Sequence, residues 1–140
     1  LDILSYTSYT VAEFDGVQKA LKLMSEGKDP YVIIDYSASG ESLSADKYNT
    51  VRLEYMIPVS ENSNNYKLDL FFMTDDMKSF SGEAMIRQGL IADGEYHVLD
   101  ISMSDRSLWA GIVKRLRIDY FAENYDCKNF YLKSITLVKK

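Results

Sequence analysis

The sequence predicts an all-β protein in which two antiparallel sheets pack face to face. Three observations carry that expectation: short runs in which apolar and polar residues alternate, turn chemistry between the runs, and an aromatic fraction of 13% that includes eleven tyrosines. Alternation sends successive side chains to opposite faces of a strand, so one face is buried while the other stays polar. Tyrosine suits strands, and tyrosines left exposed suit ligand faces.

About nine strands follow in order. Residues 6–14 are rich in Tyr, Thr and Val and stop at Asp15-Gly16, a strong turn pair. In the next stretch two periods compete. Val17, Ala20, Leu21 and Met24 fall at helical spacing, whereas Leu21 and Leu23 alternate with Lys22, and 20–24 is assigned to a strand. After the turn-like Glu26-Gly27-Lys28-Asp29-Pro30, residues 31–36 form a β-branched and aromatic run, and 37–44 a polar loop. Residues 48–57 place Val51, Leu53, Tyr55 and Ile57 opposite Arg52, Glu54 and Met56, the pattern of a half-buried antiparallel strand. Pro58 ends it, and 60–65 is a loop without an apolar residue. Residues 66–74 alternate Leu68, Leu70 and Phe72 against Lys67, Asp69, Phe71 and Met73. Beyond Asp75-Asp76 come strands at 83–87 and, after the Asp93-Gly94 turn, at 96–101. Residues 102–107 are a polar loop, and Trp109-Ala110-Gly111 precedes 113–121, where Leu116, Ile118 and Tyr120 oppose Arg115, Arg117 and Asp119. The run 130–138 closes the chain. So many strands without a long helix favour two packed sheets over a mixed fold.

Composition bounds the function. A chain of 140 residues with 46% apolar and 26% charged residues can bury one core without a staple and lies outside the regime of disorder. Two Pro and seven Gly are too few for a linker, so residues 1–140 are expected to form a single module. The chain opens at Leu1 with neither an initiator Met nor a signal peptide, as a module cut from a longer protein would. A net charge of −5 with scattered basic residues excludes nucleic acid as a partner. No apolar run approaches the roughly 20 residues of a membrane span, so membrane insertion is not expected. Cys127 is the only cysteine, which rules out an internal disulfide and a thiolate metal site and leaves it as a small semi-buried hydrophobe.

Four pieces carry a family likeness: Asp29-Pro30-Tyr31 before a strand, Lys47-Tyr48-Asn49 leading into Val51-Arg52-Leu53, Asp93-Gly94-Glu95-Tyr96 opening a strand that ends at Asp100-Ile101, and Trp109-Ala110-Gly111-Ile112 followed by Leu116-Arg117-Ile118-Asp119. In this order, over about two-thirds of the chain, they resemble the galactose-binding-like jelly rolls that flank catalytic domains in bacterial polysaccharide-degrading enzymes, many of them classed as carbohydrate-binding modules. The resemblance implies a jelly-roll β-sandwich, secreted or attached to the cell surface, that tethers an attached catalytic or surface domain to polysaccharide. It also implies that no cofactor is required, although such modules often hold one structural Ca²⁺; Asp75, Asp76 and Asp93 are loop acids of the right chemistry. The chain departs from the pattern after Asp119, where Pro then Gly would be expected and Tyr120-Phe121-Ala122-Glu123 stand instead.

Catalytic groups are sparse. His97 is the sole histidine and sits mid-strand, where a structural or surface role is expected. Glu54 and Asp69, placed on adjacent strand faces, are the acid pair a glycosidase would need, but chance pairs are common among twenty-one acids, and no enzyme activity is expected. Sugar binding needs an exposed aromatic platform flanked by groups that hydrogen-bond hydroxyls. Arg52, Glu54, Asp69, Phe71, Arg117 and Asp119 share the non-core parity of their strands and are expected side by side on one concave sheet. The bland alternative is a salt-bridged outer surface with Phe71 capped by a loop or a partner domain. Trp109 is either a platform or, as its place before a glycine suggests, the family's structural tryptophan; Tyr66 and Tyr125 are loop aromatics suited to a site at the sandwich edge. The expected function is a non-catalytic module binding polysaccharide or oligosaccharide. The alternatives are a structural sandwich packed on a neighbouring domain and, less favoured, a glycan-active enzyme.

Overall fold

A computed structural model describes residues 4–8, 10–25, 29–39, 42–59, 66–122 and 129–140. They form strands β1 (Leu4–Ser8), β2 (Thr10–Asp15), β3 (Ala20–Ser25), β4 (Tyr31–Asp35), β5 (Tyr48–Met56), β6 (Lys67–Thr74), β7 (Met85–Gly89), β8 (His97–Ser102), β9 (Val113–Asp119) and β10 (Asn129–Lys139). The strands make two five-stranded sheets, ordered β1-β4-β9-β6-β7 and β2-β3-β10-β5-β8. Every neighbouring pair runs antiparallel. Strands from both ends of the chain mix in each sheet, which is the long-crossover connectivity of a jelly-roll sandwich.

Ten strands replace the nine expected because the run 6–14 divides. Its first part pairs with β4 in one sheet, and its second with β3 in the other. Neither Gly nor Pro marks the crossing, so nothing in the local pattern announces it. The ambiguous stretch at 20–24 is a strand, with Leu23 in the core.

The core is the sum of the inward parities. Val51, Leu53 and Tyr55 of β5 and Phe130 and Leu132 of β10 meet Val32 and Ile34 of β4, Leu68, Leu70 and Phe72 of β6, and Leu116 and Ile118 of β9. An aromatic cluster ties the two layers: the Tyr55 and Phe130 rings stack 5.5 Å apart, and Tyr120 lies 5.0 Å from Phe121 and 5.4 Å from Phe130. Tyr120 and Phe121 are the residues standing where the resembled family would place Pro and Gly. They fill the core, each contributing about 2 kcal/mol by burial. The Tyr120 hydroxyl shares a buried 2.7 Å hydrogen bond with Thr10 Oγ1, joining the start of β2 to the chain just past β9.

Two aromatics offered as ligand platforms belong to this core. Tyr66, immediately before β6, is 0% exposed and packs on Phe121 at 5.6 Å, so its ring has no face to offer. Trp109 is buried edge-on against Phe72 at 5.3 Å, and its indole N–H donates to the Tyr48 carbonyl at 2.9 Å. This is the structural alternative for Trp109. Tyr125 and Cys127 lie outside the described residues. Gly111, just before β9, has φ +79°, and a Cβ there would run into the Asp75 carboxylate, whose Oδ1 accepts the Ile112 N–H at 3.1 Å. Only glycine fits that approach.

Candidate functional site

The six outward residues that the parity selects do not share a sheet. Arg52 and Glu54 leave β5 on the outer face of the β2-β3-β10-β5-β8 sheet, whereas Asp69, Phe71, Arg117 and Asp119 leave β6 and β9 on the outer face of the other. The whole core separates Glu54 from Asp69, so these two carboxylates cannot act on one bond. Arg52 instead holds Asp100 across the ladder, with Nε–Oδ1 2.7 Å and Nη2–Oδ2 3.0 Å, at side-chain exposures of 47% and 48%.

On the β1-β4-β9-β6-β7 sheet, register builds three rows across the strands. Ile33, Arg117, Phe71 and Met85 stand opposite one another in sequence, and Asp119, Asp69 and Arg87 form the next row. Asp35, Arg115 and Met73 form the third. The middle of this face is drier than an outer surface usually is. Ile33 is buried, and Asp35, Asp69 and Asp119 are 9%, 6% and 5% exposed.

Each of those carboxylates is held by an arginine. Arg87 grips Asp69 in a fork of 2.7 and 2.9 Å, Arg117 grips Asp119 in one of 2.8 and 2.8 Å, and Arg115 Nε reaches Asp35 at 3.2 Å. Asp35 also accepts the backbone N–H and the hydroxyl of Ser37. Burial raises the Asp35 carboxyl, but the Ser37 hydroxyl and Arg115 outweigh it and leave it below the ordinary carboxylate range. Asp119 goes the other way. Desolvation pushes it up to about 6 against the pull of Arg117, with the nearby Asp29 carboxylate adding to the rise. Asp69 sits directly across from Asp119, and like charges so placed repel, which is why a guanidinium flanks each.

The aromatic part is built around Arg117. Its guanidinium carbon lies 4.1 Å from the centre of the Tyr31 ring, 4.7 Å from that of Phe71 and 5.9 Å from that of Phe80. These rings come from β4, β6 and the β6–β7 connection, three elements distant in sequence. Stacking of this kind adds about 0.5–2 kcal/mol per contact. The face therefore combines half-buried aromatic rings with fixed carboxylates and guanidinium groups, the chemistry needed to hold the apolar faces and hydroxyls of a sugar chain.

Similarity to known proteins bears on the fold. No protein-family model matches the sequence, and no curated protein matches it. Among solved structures, the chain is similar to a xylan-binding module, CBM86, from Roseburia intestinalis, with a TM-score of 0.61 and 15% identity over 99% of this chain and 91% of that one. It is also similar to a family 11 carbohydrate-binding module from Clostridium thermocellum, solved with a β-1,3-1,4-mixed-linked tetrasaccharide, with a TM-score of 0.57 and 14% identity over 96% and 83% of the two chains. A third match, described as CBM4, has a TM-score of 0.54 and 7% identity over 99% and 80%. The fold is that of carbohydrate-binding modules. The jelly-roll expectation stands on that likeness and on the strand order together.

Sequence reasoning named four residues of this face as ligand candidates and did not name Asp29, Tyr31, Phe80, Arg87 or Asp35, nor Arg115, although the period-two pattern already turned Arg115 outward. In β4 the run Tyr31-Val32-Ile33-Ile34-Asp35 hides its parity because Ile33 is as apolar as its neighbours, and Phe80 sits in a loop that no periodicity describes. The loop acids offered as calcium ligands do not converge. Asp75 holds the Ile112 N–H, and Asp93 holds the Glu95 N–H and His97 Nε2 at 3.0 and 2.8 Å. Among the described residues no three His, Cys, Asp or Glu side chains form a metal-binding group, so the three acids do not fit one Ca²⁺ coordination sphere. His97 is a surface residue paired with Asp93.

Proposed function

We propose that this chain is a non-catalytic carbohydrate-binding module that holds polysaccharide on the outer face of the β1-β4-β9-β6-β7 sheet. It would serve outside the cell, tethering an attached catalytic or surface domain to its substrate. The observation that carries the reading is the ordered array of Tyr31, Phe71 and Phe80 about Arg117, with the Arg87–Asp69 and Arg117–Asp119 pairs beside it. Rings supply a platform for pyranose faces, and rigid charged groups supply directed hydrogen bonds to hydroxyls. The jelly-roll likeness to modules whose names record xylan and mixed-linkage glucan as ligands supports the assignment. Affinity electrophoresis in gels containing xylan, mixed-linkage β-1,3-1,4-glucan or xyloglucan tests it. Retardation by at least one is expected, with loss on Phe71→Ala; free migration in all three would sink the reading.

A second reading is favoured by another surface. Phe14 and Val17, at the β2–β3 turn, are 71% and 91% exposed, an apolar tip suited to packing on a neighbouring domain. Titration with soluble oligosaccharides separates the two readings, since only glycan binding on the ringed face perturbs tyrosine fluorescence.

A further inference from the structure

Arg117 is engaged along one edge and over its plane. Its Nε and Nη2 groups are spent on the two oxygens of Asp119, Asp29 Oδ1 stands 3.7 Å from Nη2, and aromatic rings pack about the guanidinium. Its Nε and Nη2 edge is thus turned to carboxylates rather than to a ligand. The guanidinium is well placed to fix the three rings, because Tyr31, Phe71 and Phe80 share no strand and Arg117 is the group common to them.

We propose that Arg117 is a positioning residue: its ion pair with Asp119 sets the ring array of Tyr31, Phe71 and Phe80, so that the face grips glycan only while Asp119 is ionised. This rests on the glycan-binding reading above. The charged and titratable groups facing Asp119 among the described residues are Arg117 on its own strand, Asp29 and Tyr31 at and before the start of β4, Asp69 on β6, and Arg87 beyond Asp69 on β7. The nearest carboxylates, Asp29, Asp69 and Asp119, outnumber the two guanidinium groups, so the cluster carries an excess negative charge that one proton removes. Burial and the Asp29 carboxylate make Asp119 the member that takes it, near pH 6. Protonation leaves Arg117 without a charged fork, and its hold on the rings loosens.

The test uses the whole chain and two readouts. Affinity for whichever of the three polysaccharides retards the parent protein is measured from pH 5 to 7.5, and the Arg117 Nε–H resonance is followed by NMR without ligand over the same range. The expected result is a resonance displaced by ring currents at pH 7.5 that moves as the pH falls through about 6, with affinity falling at least fivefold along the same curve. Asp119→Asn should give a flat pH profile. Arg117→Lys keeps the charge but loses the planar fork and the stack, and should bind at least tenfold more weakly. Should Arg117→Lys fail to fold, Phe80→Leu serves, displacing the Arg117 resonance and weakening binding severalfold. Parent-like affinity in the folded substitution, or a parent-like pH profile in Asp119→Asn, would overturn the proposal. If no polysaccharide retards the parent, the functional reading falls, and the NMR arm still decides the role of Arg117: a resonance without ring shift or pH response overturns it.

Discussion

On the outer face of β5 and β8, Arg52 and Asp100 make a forked ion pair that stays half in water. On the outer face of β9, β6 and β7, Arg117–Asp119 and Arg87–Asp69 make forks of the same length, but their carboxylates are below 10% exposed and rings pack over one guanidinium. The residue types and the strand parity are alike; the surroundings differ. An exposed pair gains little because water competes for both partners. A pair closed off by neighbours is costly to break and fixes its members in place. The second face therefore keeps its carboxylates out of water, most completely at Arg117–Asp119, and the first has the character of a solvated surface.

That contrast can be broken experimentally, beginning with the largest effect. Arg117→Ala, which strands the buried Asp119 carboxylate, should cost about 3 kcal/mol of stability in urea unfolding at pH 7.5, whereas Arg52→Ala should cost under about 1 kcal/mol. Equal losses would erase the distinction between the faces. Next comes the pH dependence of stability. The folded Asp119 carboxyl stands at about 6 against an ordinary 3.8, so the folded state binds that proton more tightly. Its contribution is fully present below the ordinary value and is lost as the pH rises through about 6, a fall of roughly 2–3 kcal/mol. Asp119→Asn should flatten that slope in denaturant titrations, and Asp100→Asn should leave it in place. In the opposite direction, Asp35 is held low, so its contribution is present at neutral pH and fades on acidification below about 4.

Binding provides smaller but more selective effects. Phe71→Ala should weaken polysaccharide retention about tenfold, and Arg52→Ala should leave it unchanged in the same gels. The smallest effect is a double-mutant cycle on Arg52 and Asp100, expected to yield a coupling of about 0.5 kcal/mol that shrinks with added salt. A coupling of several kcal/mol there would mean that this face too is closed off from water.

Much of the fold was legible because alternation is a local property. The strand around Leu53 and the one around Leu70 declare their inner faces within a few residues, and Asp15-Gly16 and Asp93-Gly94 mark turns by their own chemistry. Residues 6–14 read as one strand because leaving one sheet for the other requires no special residue, only a partner elsewhere. Tyr66 reads as a loop aromatic for a related reason. It borders a polar loop in sequence, yet Phe121, more than fifty residues further along, packs on it.

By itself the sequence determined which side chains leave the core: Arg52, Glu54, Asp69, Phe71, Arg117 and Asp119 all point outward, as their period-two spacing requires. Only the tertiary structure decided which of them meet. It seated β9 between β4 and β6 and put β5 in the opposite layer, so that Arg117, which parity alone already sets beside Asp119 two residues along β9, met Tyr31 and Phe71 while Arg52 met Asp100. The physical reason is range. A side chain's direction is set by its own backbone, whereas its company is set by long-range strand pairing, which the packing of the whole core selects.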